Sequence, residues 1–131
     1  MPSPVYEIGI LDEDAAYRSA MSRLLVAHGH VARAYSTAAA CLRAAGHRRL
    51  DCLLLDLYLS DMTVFEIPGV LKRQLPDTPL IIVSTCDEPE LGAHASAMGA
   101  AASLRKPVRA ATLLHAIGIA VAARSQARGL A

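Results

Sequence analysis

Asp56 stands inside an apolar run, Cys52 to Leu59. A carboxylate buried among such residues is costly unless it is paired or coordinated, so it needs partners. The sequence supplies them at the ends of other apolar runs. Val5–Leu11 is followed by Asp12-Glu13-Asp14, the run Pro79–Ser84 ends at Ser84-Thr85, and a weaker run ends at Arg105-Lys106-Pro107. Clustered carboxylates repel one another. A hard, oxygen-ligated divalent cation offsets that repulsion, and Mg²⁺ (or Mn²⁺) fits because it takes carboxylates and water and bridges to phosphate. Lys106 adds a point charge suited to a phosphate oxygen, and Ser84 a hydroxyl for the same group. An aspartate can itself be the nucleophile and form an acyl phosphate. Taken singly, Asp12 and Asp14 read as helix caps, Ser84 as a strand end and Lys106 as a solvated charge. Asp56 resists such a reading, and together these residues favour phosphoryl chemistry, in which the protein aligns groups and neutralises charge.

The elements that must position them alternate strictly. Val5–Leu11 reads as a buried strand. Asp14 caps a helix with Tyr17, Met21, Leu24 and Leu25 at helical spacing, ended by Gly29. Val31–Tyr35 is a short, partly polar edge strand. A helix follows from Ser36 or Thr37 to Gly46. The run around Cys52–Leu55 is the most apolar strand and therefore central. A third helix spans residues 64–75, with Pro68 tolerable only near its start. Pro79–Ser84 is the fourth strand. Residues 88–99 form a helix with Leu91, Ala95 and Met98 on one face. Residues 101–105 are a weak fifth strand, and 109–126 the last helix, with Leu113, Leu114, Ile117 and Val121 inward. Five β–α units of this kind imply a doubly wound parallel α/β sheet with helices on both faces. Chemistry in such sheets gathers at the carboxyl ends of the strands, where all the candidates lie.

Composition narrows the partners. The 131 residues suit one domain, read as residues 1–124 followed by a tail at 125–131, and 53% are hydrophobic, too many for disorder. A net charge of +1 gives no bulk field for nucleic acid or membrane. The N-terminal residues lack the basic region and apolar stretch of a secretory signal. The apolar stretch 110–123 is too short for a membrane span. Cys41, Cys52 and Cys86 are scattered, without a CxxC, and read as reduced thiols of a cytoplasmic protein.

The segments "ILDED", "LLLDL", "IIVS" and "LRKPV" carry a family resemblance. From about Val5 to Ala123 the chain resembles the receiver domain of two-component response regulators. The resemblance implies a flavodoxin-like (βα)5 fold with strand order 2-1-3-4-5. It puts the acidic pair on Asp12 and Glu13, the phosphoacceptor on Asp56, the hydroxyl switch on Ser84 and the family's lysine on Lys106. It makes the backbone carbonyl of Tyr58 a metal ligand beside Asp12, Glu13 and Asp56. It also implies a cis bond between Lys106 and Pro107, and it places Tyr58 and Cys86 beside the approach of hydrolytic water. The phosphoryl donor would be a histidine kinase or phosphotransfer protein. Output would run through Ser84, Thr85 and the face made by the fourth helix, fifth strand and last helix, a face that also admits a homodimer. Neither direct nucleic-acid binding nor a membrane is implied.

The sequence departs from the family at informative places. Glu13 replaces the usual Asp. Leu59-Ser60 replaces a Met-Pro step, and Val64 a later Gly, so the loop after Asp56 should take another path. Ser103 occupies the aromatic switch position, which predicts a small, graded switch. The changes at Glu13, Val64 and Ser103 motivate a rival reading, a pseudo-receiver that binds protein partners without efficient phosphorylation. An Asp-nucleophile phosphohydrolase is disfavoured, because the second acid expected two residues after the nucleophile is Tyr58. A dinucleotide-binding module lacks its glycine fingerprint.

Overall fold

A computed structural model describes residues 3–85, 93–94 and 96–129. Five parallel strands, β1 (Glu7–Leu11), β2 (Val31–Tyr35), β3 (Cys52–Leu55), β4 (Leu80–Ser84) and β5 (Ala102–Arg105), form one sheet in the order β2-β1-β3-β4-β5. This is the order the family resemblance implies. The helices are α1 (Ala15–Ala27), α2 (Ala38–Ala45), α3 (Ile67–Gln74) and α4 (Ala110–Gly129). Half of the helix expected over 88–99, Leu91 and Ala95 included, lies outside the described residues, as does Cys86. Residues 93, 94, 96 and 97 are helical.

Strand alternation builds two cores. Side chains of successive strand residues point to opposite faces. Leu53, Leu55, Leu80 and Ile82 therefore pack on one side with Ala38, Cys41, Ile67 and Leu71 of α2 and α3. Cys52, Leu54, Ile81 and Val83 pack on the other with Met21, Leu25, Leu113, Ile117 and Val121 of α1 and α4. The strand β3 is buried at all four positions, as its unbroken apolar run demands.

Local signals set the helix ends. Asp14 accepts from the N–H groups of Ala16 and Tyr17 and caps α1, and Gly29 takes φ 86° after it. Thr37 caps α2 through the Ala40 N–H. Strand β1 begins at Glu7 and not Val5, and two helix boundaries differ by three residues. The third helix begins at Ile67 rather than residue 64, because Thr63 organises the preceding turn and Pro68, which has no N–H to offer, falls in the first helical turn. The last helix continues to Gly129, into the segment read as a tail, because Ala127 and Arg128 are strong helix formers that extend a formed helix at little cost. No non-glycine residue among those described has a positive φ, so Val64 sits in a loop path a β-branched residue tolerates.

Cys41 and Cys52 are free and buried, and burial pushes each thiol up to about 12. A thiol reagent at neutral pH should leave both unmodified in the folded protein and label both after denaturation, as read by peptide mass mapping. Modification of either in the native state would contradict this core.

Candidate functional site

The sheet ladder runs one residue past three strands and so fixes the site. The Asp12 N–H donates to the Tyr35 carbonyl (3.1 Å), the Asp56 N–H to the Leu11 carbonyl (2.9 Å) and the Lys106 N–H to the Ser84 carbonyl (2.9 Å). Asp12, Asp56 and Lys106 thereby share one rim of the sheet. Lys106 Nζ donates to Asp12 Oδ2 at 2.6 Å and to Asp56 Oδ2 at 3.3 Å. Both acids are largely enclosed, with side chains 4% and 13% exposed. The Asp56 charge is met by Lys106, and its other oxygen accepts the Tyr58 N–H at 3.1 Å. The Lys106–Pro107 bond is cis, as the resemblance implies.

Lys106 also sits 3.8 Å from the centroid of the Tyr17 ring, a cation–π contact. Burial alone would lower the Lys106 pKa. The hydrogen bond to Asp12 and the charges of Asp56 and Asp12 outweigh it, and the net direction is upward. Its contribution to stability is thus complete below the ordinary lysine range and is lost only as pH rises through the raised value. Burial raises the Tyr17 phenol, with Lys106 acting in the opposite sense, and the Tyr17 hydroxyl is enclosed with no hydrogen-bond partner among the described residues.

Glu13 lies elsewhere. Its Oε2 accepts from Ser60 Oγ at 2.6 Å and from the Ser60 N–H, and these bonds hold the exposed carboxyl below its ordinary range. Among the described residues, no three His, Cys, Asp or Glu side chains converge with metal-ligand spacing. Ser84 is buried at the end of β4, Thr85 and Ser103 are exposed, and Tyr58 is 47% exposed.

Sequence reasoning missed four supporting residues. Arg18 Nη1 donates to the carbonyls of Asp12 and Glu13, each at 2.8 Å. Asp61 accepts from the N–H groups of Ala38 and Ala39 and supplies a second cap to α2. Tyr17 and Ser60 complete the set. None of these four roles has a signal in the local sequence.

Residues 8–118 match the response regulator receiver domain family, and the chain belongs to it. It is 30% identical over 121 residues to the response regulator protein TodT of Pseudomonas putida, covering 92% of this chain and 53% of that one. A CheY-like receiver domain protein from Methanospirillum hungatei JF-1 superposes with a TM-score of 0.87 at 24% identity, over 94% of this chain and 98% of that one. A response regulator from Burkholderia pseudomallei, solved with a phosphorylated aspartic acid, calcium ion and citrate, superposes with a TM-score of 0.81 at 18% identity, over 95% and 74%. The chain spans between 21% and 53% of the length of the first curated relatives it matches. No helix among the described residues is long and apolar enough to cross a membrane.

Removing the ammonium would leave Asp12 and Asp56 facing each other without a counter-charge. Lys106→Met should cost about 1–3 kcal/mol of stability at neutral pH, measured by urea unfolding. A variant as stable as the native protein at neutral pH would contradict the arrangement.

Proposed function

We propose that this receiver domain accepts a phosphoryl group on Asp56 in a Mg²⁺-dependent reaction and relays it as a change of shape to an output partner. The observation that carries the reading is the enclosed Asp56 carboxylate sharing Lys106 with Asp12. The donor chemistry fits the cation: two carboxylates, Asp12 and Asp56, with the Tyr58 carbonyl that the family resemblance adds, make an all-oxygen set, and Mg²⁺ commonly takes only one or two carboxylates and keeps its waters. When bound, the ion supplies charge neutralisation between carboxylate and incoming phosphate. Asp56 contributes the oxygen that forms the new P–O bond as the P–N bond of a phosphohistidine in the kinase or phosphotransfer partner breaks, and the leaving imidazole takes up a proton. Lys106 offers its charge to a phosphoryl oxygen, and Ser84 its hydroxyl.

The phosphoryl group adds about −1.5 to −2 charges and strong acceptors. It would compete with Asp12 for Lys106 and draw Ser84 inward. Ser103, exposed on β5, has no ring to fill vacated space, so the response is a graded population shift through the face of β5 and α4. The pseudo-receiver reading rests on Glu13, Val64 and Ser103, and it predicts no adduct.

Incubation with acetyl phosphate and Mg²⁺ should add the mass of one phosphoryl group to the native protein and none to Asp56→Asn. No adduct at saturating donor, or an adduct that survives the substitution, would sink the proposal. The half-exposed Tyr58 flanks the path of in-line water and is poorly suited to orient it. Tyr58→Asn should therefore release phosphate several-fold faster, and an unchanged or slower release would count against that role.

A further inference from the structure

Glu13 and Ser60 stand 47 residues apart, and two donors of Ser60 meet one carboxylate oxygen of Glu13. In sequence they look like separate departures from the family, a Glu for an Asp and a Ser for a Pro. In space they complete each other. The added methylene of Glu lets its carboxylate span the gap between loops. Proline at 60 would offer no N–H and no hydroxyl. The backbones on both sides are fastened independently. Arg18 holds the carbonyls of Asp12 and Glu13, and Asp12 Oδ1 accepts the Asp14 N–H at 2.9 Å. Across the gap, Asp61 grips the N-terminus of α2, and Leu59 and Met62 bridge each other. The Glu13 carboxylate, on such anchored loops and already bound to two donors, makes no three-acid metal cluster with Asp12 and Asp56.

We propose that Ser60 is a positioning residue that withdraws Glu13 from the divalent-cation shell, so that the ion is held by Asp12 and Asp56 alone among the acidic side chains. Glu13 becomes a strap joining the β1–α1 loop to the loop after Asp56. This rests on the divalent-cation reading of the site. The strap tunes affinity downward, because breaking it would give the ion a third carboxylate.

The test is Mg²⁺ affinity by calorimetry on the whole chain, at about 0.3 M salt, where fields through solvent are largely screened. Asp12→Asn should weaken binding about tenfold or more, which is about 1.4 kcal/mol. Glu13→Gln should change it by less than about threefold, because Glu13 is not a ligand and its charge is screened by the salt. Ser60→Ala removes one donor and Ser60→Pro both, and affinity should tighten in that order. Adding Glu13→Gln to Ser60→Pro should abolish the gain. A merely structural Ser60 would weaken binding when replaced, not tighten it. Tenfold weaker binding in Glu13→Gln alone, or no tightening in either Ser60 variant, overturns the inference while the Asp12 effect leaves the cation site standing. Affinity unchanged in Asp12→Asn removes the site and the inference together.

Discussion

Two carboxylates and one ammonium at the carboxyl edge of the sheet form the constraint on which the rest depends. Asp12 and Asp56 cannot share an enclosed rim as bare anions, and Lys106 makes their proximity tolerable. That arrangement requires three strands to end in register, so the ladder bonds of Asp12, Asp56 and Lys106 to the neighbouring strands are as much part of the site as the side chains. The apolar strand β3, buried on both faces, supplies a rigid base for Asp56. The price of that burial is a charge that must always have a partner, whether Lys106 or a cation.

The loops around this triad are tied to one another instead of hanging free. Asp14 caps α1, Arg18 gathers two carbonyls of the turn, and Tyr17 lays its ring on Lys106. On the other side, Asp61 caps α2 while Ser60 meets Glu13. Charge brought to Asp56 would therefore act on a preorganised frame, and the softest member is Lys106, whose bonds can be exchanged without moving backbone.

Much of this was legible in the sequence because it rests on periodicity and on local signals. Unbroken apolar runs separated by helical patterns give the alternation, and Asp14, Thr37, Gly29 and Gly46 mark helix ends by short-range chemistry. The strand order came from the family resemblance, not from the pattern. Asp56 was legible because a charge in an apolar run has few explanations. The rest depended on contacts distant in the chain. Tyr17 sits at a helical core spacing that says nothing of a cation above its ring. Glu13 reads as a weakening change and Ser60 as part of a rerouted loop, since their contact exists only once two loops are side by side. Asp61 caps a helix 23 residues earlier in the chain, beyond any local capping rule. The start of α3 was misjudged because Val64 and Phe65 continue an apolar pattern that the Thr63 turn interrupts.

The central claim is that Lys106 holds Asp56 ready for a phosphoryl group and transfers its bond when one arrives. A crystal structure with Mg²⁺ and beryllofluoride, a mimic of the phosphoryl group, tests it most directly. The account predicts beryllofluoride on an Asp56 oxygen, with Lys106 Nζ moved from Asp12 to a fluoride at about 3 Å, an ordinary hydrogen-bond distance. A mimic bound elsewhere, or Lys106 still bridging Asp12 and Asp56 beneath an occupied Asp56, would contradict it.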